Sequence, residues 1–175
     1  MATEIKVRIA TPQDVHEVMD MAIASIAETG MAEADPEMIL NQVWPALNRW
    51  CGIVGIIGKS GESAEGCVLM GLSGLWYSRT QFIEEKFTYV RPEFRSERGA
   101  EGGRATKLME FSKAVSEGVE MPLVMGGSDA ITGKSTKGKR RLYSRMFGRQ
   151  VGAYFLYDAA SMKGAMSAET VIVEG

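Results

Sequence analysis

The chain has 175 residues, which is enough for one domain with a substantial hydrophobic core. Its 45% hydrophobic and 24% charged residues exclude a disordered or fibrous protein, and its formal net charge of -2 gives no reason to expect binding to nucleic acid or to membranes. No signal peptide and no apolar run of about 18 residues is visible, so a cytoplasmic location is expected. Cys51 and Cys67 lie in apolar stretches and are expected to be buried free thiols.

Apolar spacing and turn residues predict elements in the order β-α-α-β-β-β-α-β-α-β, all within a single domain that spans residues 1–175. Pro45 is expected to bend or break the second helix, and Trp44 and Trp50 are expected to pack in the core or under a lid. Residues 159–175 are expected to form a partly frayed tail. Strands are predicted at 6–10, 51–57, 66–76, 85–90, 122–125 and 150–157, and helices at 11–30, 35–47, 104–118 and 139–147. The order predicts an α/β fold with a mixed, mostly antiparallel twisted sheet, one βαβ unit and helices on both faces.

A loop rich in glycine and arginine follows the predicted strand at 85–90 and leads directly into a helix. Its glycines allow backbone N–H groups to point into one concavity, and the first turn of the helix has unpaired N–H donors with a partial positive charge. The loop therefore predicts a site for a phosphate group. Its glycines and arginines are Arg95, Arg98, Gly99, Gly102, Gly103 and Arg104.

Positive charge is concentrated late in the chain. Residues 1–50 hold 3 Lys or Arg against 8 Asp or Glu, and residues 134–149 hold seven basic residues and no acid. A solvated helix face and a second anion site both fit this basic run. The single histidine, His16, lies in the first predicted helix, where a surface or capping role is expected, and no Cys, His or carboxylate cluster predicts a metal site.

Two side-chain groups near the loop can move protons. Glu84 and Glu85 are adjacent at the start of the predicted strand, so their side chains point in opposite directions and one of them can face a cleft. Tyr143, on the late basic helix, places a phenol near the same end of the sheet.

Three segments in this order resemble the GCN5-related N-acetyltransferase (GNAT) family. VRIATPQDVHEVMDMA matches the opening of that family, VRPEFRSERGAEGGRATKLMEF matches its coenzyme A loop, and LYSRMFGRQVGAYFLYD matches its late Leu-Tyr element. The overall sequence also resembles acetyltransferases encoded by phages and prophages. Two alignments of the loop stay open. In one, Arg98 begins the motif and Glu101 stands where a glycine is usual; in the other, Arg95 begins a loop about three residues longer.

The resemblance implies an N-acetyltransferase that uses acetyl-CoA and acts on a primary amine of a small molecule or peptide. It implies Glu84 as the base, with Glu85 or water as alternatives, and Tyr143 as the acid that protonates the leaving thiolate. A homodimer is a further expectation, since dimers are common among similar enzymes. The alternative is an inactive acyl-CoA-binding or protein-interaction module with the same fold. The residues implied in cofactor binding are Tyr89, Val90, Arg95, Arg98, Gly99, Gly102, Gly103, Arg104, Ala105 and, for the 3′-phosphate, Lys139.

Overall fold

The structure is a computed structural model, and it describes residues 4–30, 33–95, 98–99, 102–126 and 137–147. The helices are α1 (Val15–Thr29), α2 (Pro36–Leu47), α3 (Arg104–Gly118) and α4 (Lys137–Phe147). The strands are β1 (Val7–Ile9), β2 (Gly52–Ile57), β3 (Gly66–Gly74), β4 (Gln81–Val90), β5 (Arg98–Gly99), β6 (Gly102–Gly103) and β7 (Leu123–Val124).

The main sheet has five strands in the order β1-β2-β3-β4-β7. The first four are antiparallel neighbours, and β7 pairs with β4 in parallel. β5 and β6 form a separate two-stranded ribbon that leads directly into α3. This arrangement confirms the predicted mixed sheet, and the βαβ unit is β4-α3-β7.

A β-bulge interrupts the pairing of β3 with β4. Leu69 lies opposite Phe87 and Met70 lies opposite Glu85, so Lys86 is the extra residue on β4. A bulge changes which face of the sheet the following side chains occupy. Glu85 therefore faces one side of the sheet, while Phe87 joins the core on the other side.

Each face of the sheet carries its own hydrophobic core. On one face, α1 and α2 bury residues such as Met21 and Val43 against β2 and β3. On the other face, α3 buries Leu108 and Met109 against β2, β3 and β4, with side chains of α4 packed at the periphery. Helices therefore cover both faces, as the alternation of elements predicts.

The predicted start of the first helix is confirmed in detail. Pro12–Asp14 forms a turn of 3-10 helix, and the backbone N–H of Thr11 donates to Asp14 Oδ2 at 2.8 Å. Arg8 Nη2 donates to Asp14 Oδ1 at 2.7 Å, which ties β1 to this turn. The same hydrogen bond is the main reason why the pKa of Asp14 lies below its usual value. Gly30 ends α1 with a φ of 65°, a conformation that favours glycine.

Several local expectations differ from the structure. α2 continues through Pro45 to Leu47, because a proline in the last turn of a helix displaces little of its hydrogen bonding. β4 begins at Gln81, four residues before the predicted strand, because Phe82 and Ile83 extend its pairing with β3. The predicted strand at 150–157 and the tail at 159–175 lie outside the described residues.

The expectation for the two tryptophans and for one cysteine is wrong. Trp50 is 70% exposed and Trp44 is 41% exposed, because they sit on the outer side of α2 and in the turn after it. Cys67 is buried in β3, whereas Cys51 precedes β2 at the rim of the sheet and is exposed. In the described part of the chain, no helix is long and apolar enough to cross a membrane.

Candidate active site

The site is built along the outer edge of β4. β7 pairs with β4 only at Ile83 and Glu84. Beyond that point, residues 85–90 have no strand partner on this edge within the described ranges. A strand edge without a partner presents backbone donors and acceptors that a bound molecule can use. The two strands therefore part after Glu84, directly before Glu85.

Glu85 and Tyr143 meet at the point where β4 and β7 part. The hydroxyl of Tyr143, on α4, lies 2.7 Å from Oε1 and 2.8 Å from Oε2 of Glu85. The Glu85 residue is only 6% exposed. A phenol that donates to a buried carboxylate forms a strong, charge-assisted hydrogen bond, and the two groups can exchange one proton. The ring of Tyr143 is fixed by an edge-to-face contact with Phe147.

Glu84, the base implied by the resemblance, lies on the opposite face of β4. Its carboxylate forms an ion pair with Lys86, and both side chains are one-third exposed. The alkyl chain of Lys86 passes over Gly71, where a side chain would leave only 3.2 Å to Lys86 Cε. The structure thus brings Tyr143 to Glu85 and not to Glu84.

A cleft of about 320 Å³ lies at the other end of this edge. It includes the N-terminus of α3, where Gly103 occupies the N-cap position and offers no side chain to the first-turn N–H groups. Five of the predicted cofactor residues line it, together with three that sequence reasoning did not assign. The lining residues are Val90, Phe94, Arg95, Gly103, Arg104, Ala105, Thr106 and Arg145.

Two of the three arginines that line this cleft are paired with carboxylates. Arg95 Nη2 lies 2.7 Å from Glu28 Oε1, and its guanidinium lies over the ring of Tyr89. Arg104 pairs with Glu65, and its guanidinium carbon lies 4.6 Å from the centre of the Phe94 ring. Because these ion pairs hold the two guanidinium groups at the cleft wall, the first role of Arg95 and Arg104 is structural.

Tyr89 does not present its side chain to the cleft. It packs in the core beneath α1 and α2, and its hydroxyl donates to Glu28 Oε1 at 3.1 Å. Burial, followed by the neighbouring Glu28, raises the pKa of its phenol above the usual value. Only the backbone of Tyr89 is left to contact a molecule on the open edge of β4.

The structure describes only part of what remains of the predicted cofactor-binding set. The backbones of Arg98, Gly99 and Gly102 form the ribbon of β5 and β6 that delivers the chain to the N-terminus of α3. Lys139 lies in α4, but its side chain, like that of Arg98, is outside the described part. Glu101, the residue that distinguishes the two loop alignments, is also outside it.

The late basic helix contributes one described side chain to the cleft. Arg145 is exposed, lines the cleft beside Arg95 and Ala105, and has no acidic partner among the described residues. This placement favours the anion-site interpretation of the basic run over a purely solvated face. Its signal in the sequence was the absence of acids from 134 to 149. Among the described residues no cluster of Cys, His, Asp or Glu could hold a metal ion.

Comparisons with known proteins place the fold. No protein-family profile matches the chain, and no curated protein is significantly similar to it in sequence. Among solved structures, a predicted acetyltransferase from Clostridium acetobutylicum, solved with acetyl-CoA, superposes with a TM-score of 0.67 at 12% identity; 90% of this chain and 97% of that chain are covered.

Two further structures show the same likeness. AAC(6')-Iy, in complex with a bisubstrate analogue of CoA and acetylneamine, has a TM-score of 0.66 at 9% identity and covers 89% of this chain and 98% of its own. The ribosomal-protein-alanine N-acetyltransferase of Brucella melitensis biovar Abortus 2308 has a TM-score of 0.62 at 15% identity, with coverages of 89% and 99%. The chain therefore has the GNAT-like fold of these acetyltransferases, as the sequence predicts.

Proposed function

We propose that the protein is an N-acetyltransferase that transfers an acetyl group from acetyl-CoA to a primary amine. The observation that carries the proposal is the contact of the Tyr143 hydroxyl with both carboxylate oxygens of Glu85, where β4 loses its strand partner. Acetyl transfer from a thioester to an amine needs one proton removed from the nitrogen and one delivered to the sulfur. A phenol and a carboxylate in contact can supply both functions.

The described residues also suit a coenzyme A donor. The first-turn N–H groups of α3 follow Gly103 without a side-chain cap, which suits the binding of an anion there, and Arg145 adds a positive charge at the same cleft. The open edge of β4 offers backbone groups to the amide-bearing arm of the donor. Acetyl-CoA, when bound, supplies the activated acyl group. Lys139, with its neighbours on α4, is proposed to reach the 3′-phosphate.

The proton path follows from the contact of Glu85 with Tyr143. The amine nitrogen attacks the thioester carbonyl carbon, the carbon–sulfur bond breaks, and an amide and a free thiol result. Tyr143 gives its hydroxyl proton to the departing sulfur, and Glu85 returns to Tyr143 the proton that it takes from the nitrogen, directly or through water. One proton therefore passes from amine to thiol, and both side chains end as they began. Glu84 is the rival base, and it would have to act from the opposite face of β4.

Proximity of the two substrates supplies part of the rate in such a reaction. The acceptor is proposed to be an amine of a small molecule or of a peptide. The structural neighbours do not choose between these classes, since AAC(6')-Iy is complexed with an acetylneamine analogue and the Brucella enzyme is named for a ribosomal protein. The possibility of a homodimer stays a prediction of the resemblance.

The test is a titration followed by a turnover assay. Calorimetry of the full chain with acetyl-CoA should show binding with a dissociation constant between about 1 μM and 1 mM, the usual range for enzyme substrates. Thiol release should then rise above hydrolysis with one class in a panel of aminoglycosides, polyamines and lysine peptides. No binding up to about 1 mM would exclude the proposal. Binding without turnover across the panel would favour the alternative of an inactive acyl-CoA-binding module.

A further inference from the structure

Thr88 carries a buried hydroxyl that has no hydrogen-bond partner. Among the buried side-chain polar atoms of the described residues, Thr88 Oγ1 is the one that is left unsatisfied. Native proteins pair the large majority of such atoms, because a buried hydroxyl loses its bonds to water without compensation. Valine has nearly the same shape as threonine and would fill this place without that cost. The hydroxyl therefore calls for an explanation other than packing.

The position of Thr88 on β4 places it between the two ends of the candidate active site. Its neighbours Phe87 and Tyr89 belong to the core beneath α1 and α2, so Thr88 projects from the other face of the sheet. That face carries Val90, which lines the cleft, and Glu85, which contacts Tyr143. At about 3.3 Å per residue, Thr88 lies roughly 7 Å from Val90 along the strand, and the bulge at Lys86 keeps it within roughly 10 Å of Glu85.

The hydroxyl of Thr88 would reach a molecule on this edge by rotation of its side chain. The residue as a whole is only partly buried, although its Oγ1 is shielded from water. Rotation about the Cα–Cβ bond moves the hydroxyl between staggered positions without moving the backbone. Because β4 has no described strand partner here, a molecule lying along residues 85–90 would pass directly beside this side chain.

We propose that Thr88 is a positioning residue whose hydroxyl bonds to the arm of the acyl donor, at its thioester carbonyl or at an amide of the arm. This inference rests on the proposed function, since it concerns the groove formed by the open edge of β4 from Glu85 to Val90. The hydroxyl holds the arm at a fixed distance from the Glu85–Tyr143 contact, and the free protein carries an unsatisfied hydroxyl until the donor binds.

The test compares Thr88→Val, which removes the hydroxyl but keeps the shape, with Thr88→Ser, which keeps the hydroxyl. Without ligand, Thr88→Val should melt at a higher temperature than the wild type, because the unpaired hydroxyl is gone. In calorimetry, Thr88→Val should bind acetyl-CoA about fivefold to tenfold more weakly, and Thr88→Ser should bind within about twofold of the wild type. If Thr88 had a purely structural role, Thr88→Val would lower both the melting temperature and the affinity for acetyl-CoA.

Free coenzyme A separates the two ligand groups. If the hydroxyl bonds to the thioester carbonyl, Thr88→Val loses affinity for acetyl-CoA and keeps that for coenzyme A; if it bonds to an amide, both affinities fall. Unchanged affinity of Thr88→Val for both molecules, or a lower melting temperature of its free form, would overturn the inference and leave the proposed function intact. A wild-type protein that binds neither molecule would overturn both.

Discussion

The two ends of the groove along β4 hold their charged groups in different ways. At the acid–base end, a neutral phenol on α4 meets the buried carboxylate of Glu85, and the two are in hydrogen-bond contact without any ligand. At the proposed phosphate end, two of the three arginines that line the cleft are paired with carboxylates from elsewhere in the fold, Arg95 with Glu28 and Arg104 with Glu65. One end holds a phenol and a carboxylate in direct contact, and the other has much of its positive charge compensated.

The difference indicates where binding energy for an anion must come from. A guanidinium beside a carboxylate attracts a phosphate less than a free guanidinium does, because the two charges oppose each other. Under the proposed function, the attraction for a phosphate would then come largely from backbone N–H groups at the start of α3 and from Arg145, which has no acidic partner among the described residues. We therefore expect acetyl-CoA binding to depend less on salt than binding to a cluster of unpaired arginines would.

The largest expected effect on kcat distinguishes the carboxylate of Glu85 from that of Glu84. Glu85→Gln should lower kcat by about 100-fold to 1,000-fold, because the amide keeps a hydrogen bond to Tyr143 but cannot carry a proton. Glu84→Gln is the matched control and should change kcat by less than about threefold, since its ion pair with Lys86 is partly exposed. Both are measured by thiol release at saturating acetyl-CoA. The reverse order of effects would make Glu84 the base.

The second prediction concerns the strand that carries both ends. A methyl group at Gly66, in β3, would lie 2.8 Å from the carbonyl oxygen of Tyr89 and 3.2 Å from Cα of Val90. Gly66→Ala should therefore push β4 outward at the phosphate end and lower the free energy of unfolding by about 1–3 kcal/mol. Gly118→Ala, whose methyl group would meet nothing within 4 Å, is the control. Urea unfolding followed by circular dichroism measures the stability of both variants. Equal stabilities would show that β4 shifts at this point without a cost in stability.

The third prediction uses an arginine–carboxylate pair that lies away from the groove. Asp14 is buried and has a lowered pKa, chiefly because Arg8 donates to it. Its pairing therefore stabilises the fold above the usual aspartate pKa of about 3.9, and this stability is lost as the pH falls through the lower folded value. Arg8→Met should cost about 1–2 kcal/mol near neutral pH and flatten the loss of stability as the pH falls below about 5. Its affinity for acetyl-CoA should not change; a weaker affinity would mean that this pair supports the groove.

The smallest expected effect tests charge compensation at the phosphate end. Glu28→Gln leaves Arg95 without its carboxylate and should tighten acetyl-CoA binding by no more than about fivefold, because both groups are nearly half exposed. The gain should shrink as salt is added. Glu62→Gln removes a carboxylate from an exposed pair with Lys59 and serves as the control, with no change in affinity expected. Weaker binding in Glu28→Gln would show that Glu28 is needed to hold Arg95 in position.

The sequence predicts the frame of the site better than its contacts. Local signals are sufficient for the elements: Thr11 and Pro12 start the first helix, and Gly103 stands at the start of α3, as the glycine loop predicts. Tyr143 can also be placed near the end of the sheet by element order. These features depend on residues a few positions apart.

What the sequence does not reveal are the contacts made across long separations. The bulge at Lys86 and the direction of Glu85 depend on how β3 and β4 pair, and no residue type marks the bulge in advance. The compensation of Arg95 by Glu28 joins residues 67 positions apart. Which of two adjacent carboxylates meets the phenol, and which arginines are already paired, are therefore settled only by the tertiary structure.

The exposure of the tryptophans decides which spectroscopic signal can follow this protein. The sequence has three tryptophans, and Trp44, Trp50 and Trp76 are 41%, 70% and 96% exposed. Trp76 stands at the tip of the turn between β3 and β4, against Tyr77. Indole emission depends on contact with water, so the native protein should already emit at the long wavelengths of an unfolded chain. The emission wavelength of the tryptophans will therefore change little during unfolding. A partner that covers Trp76 would shift the emission to shorter wavelengths.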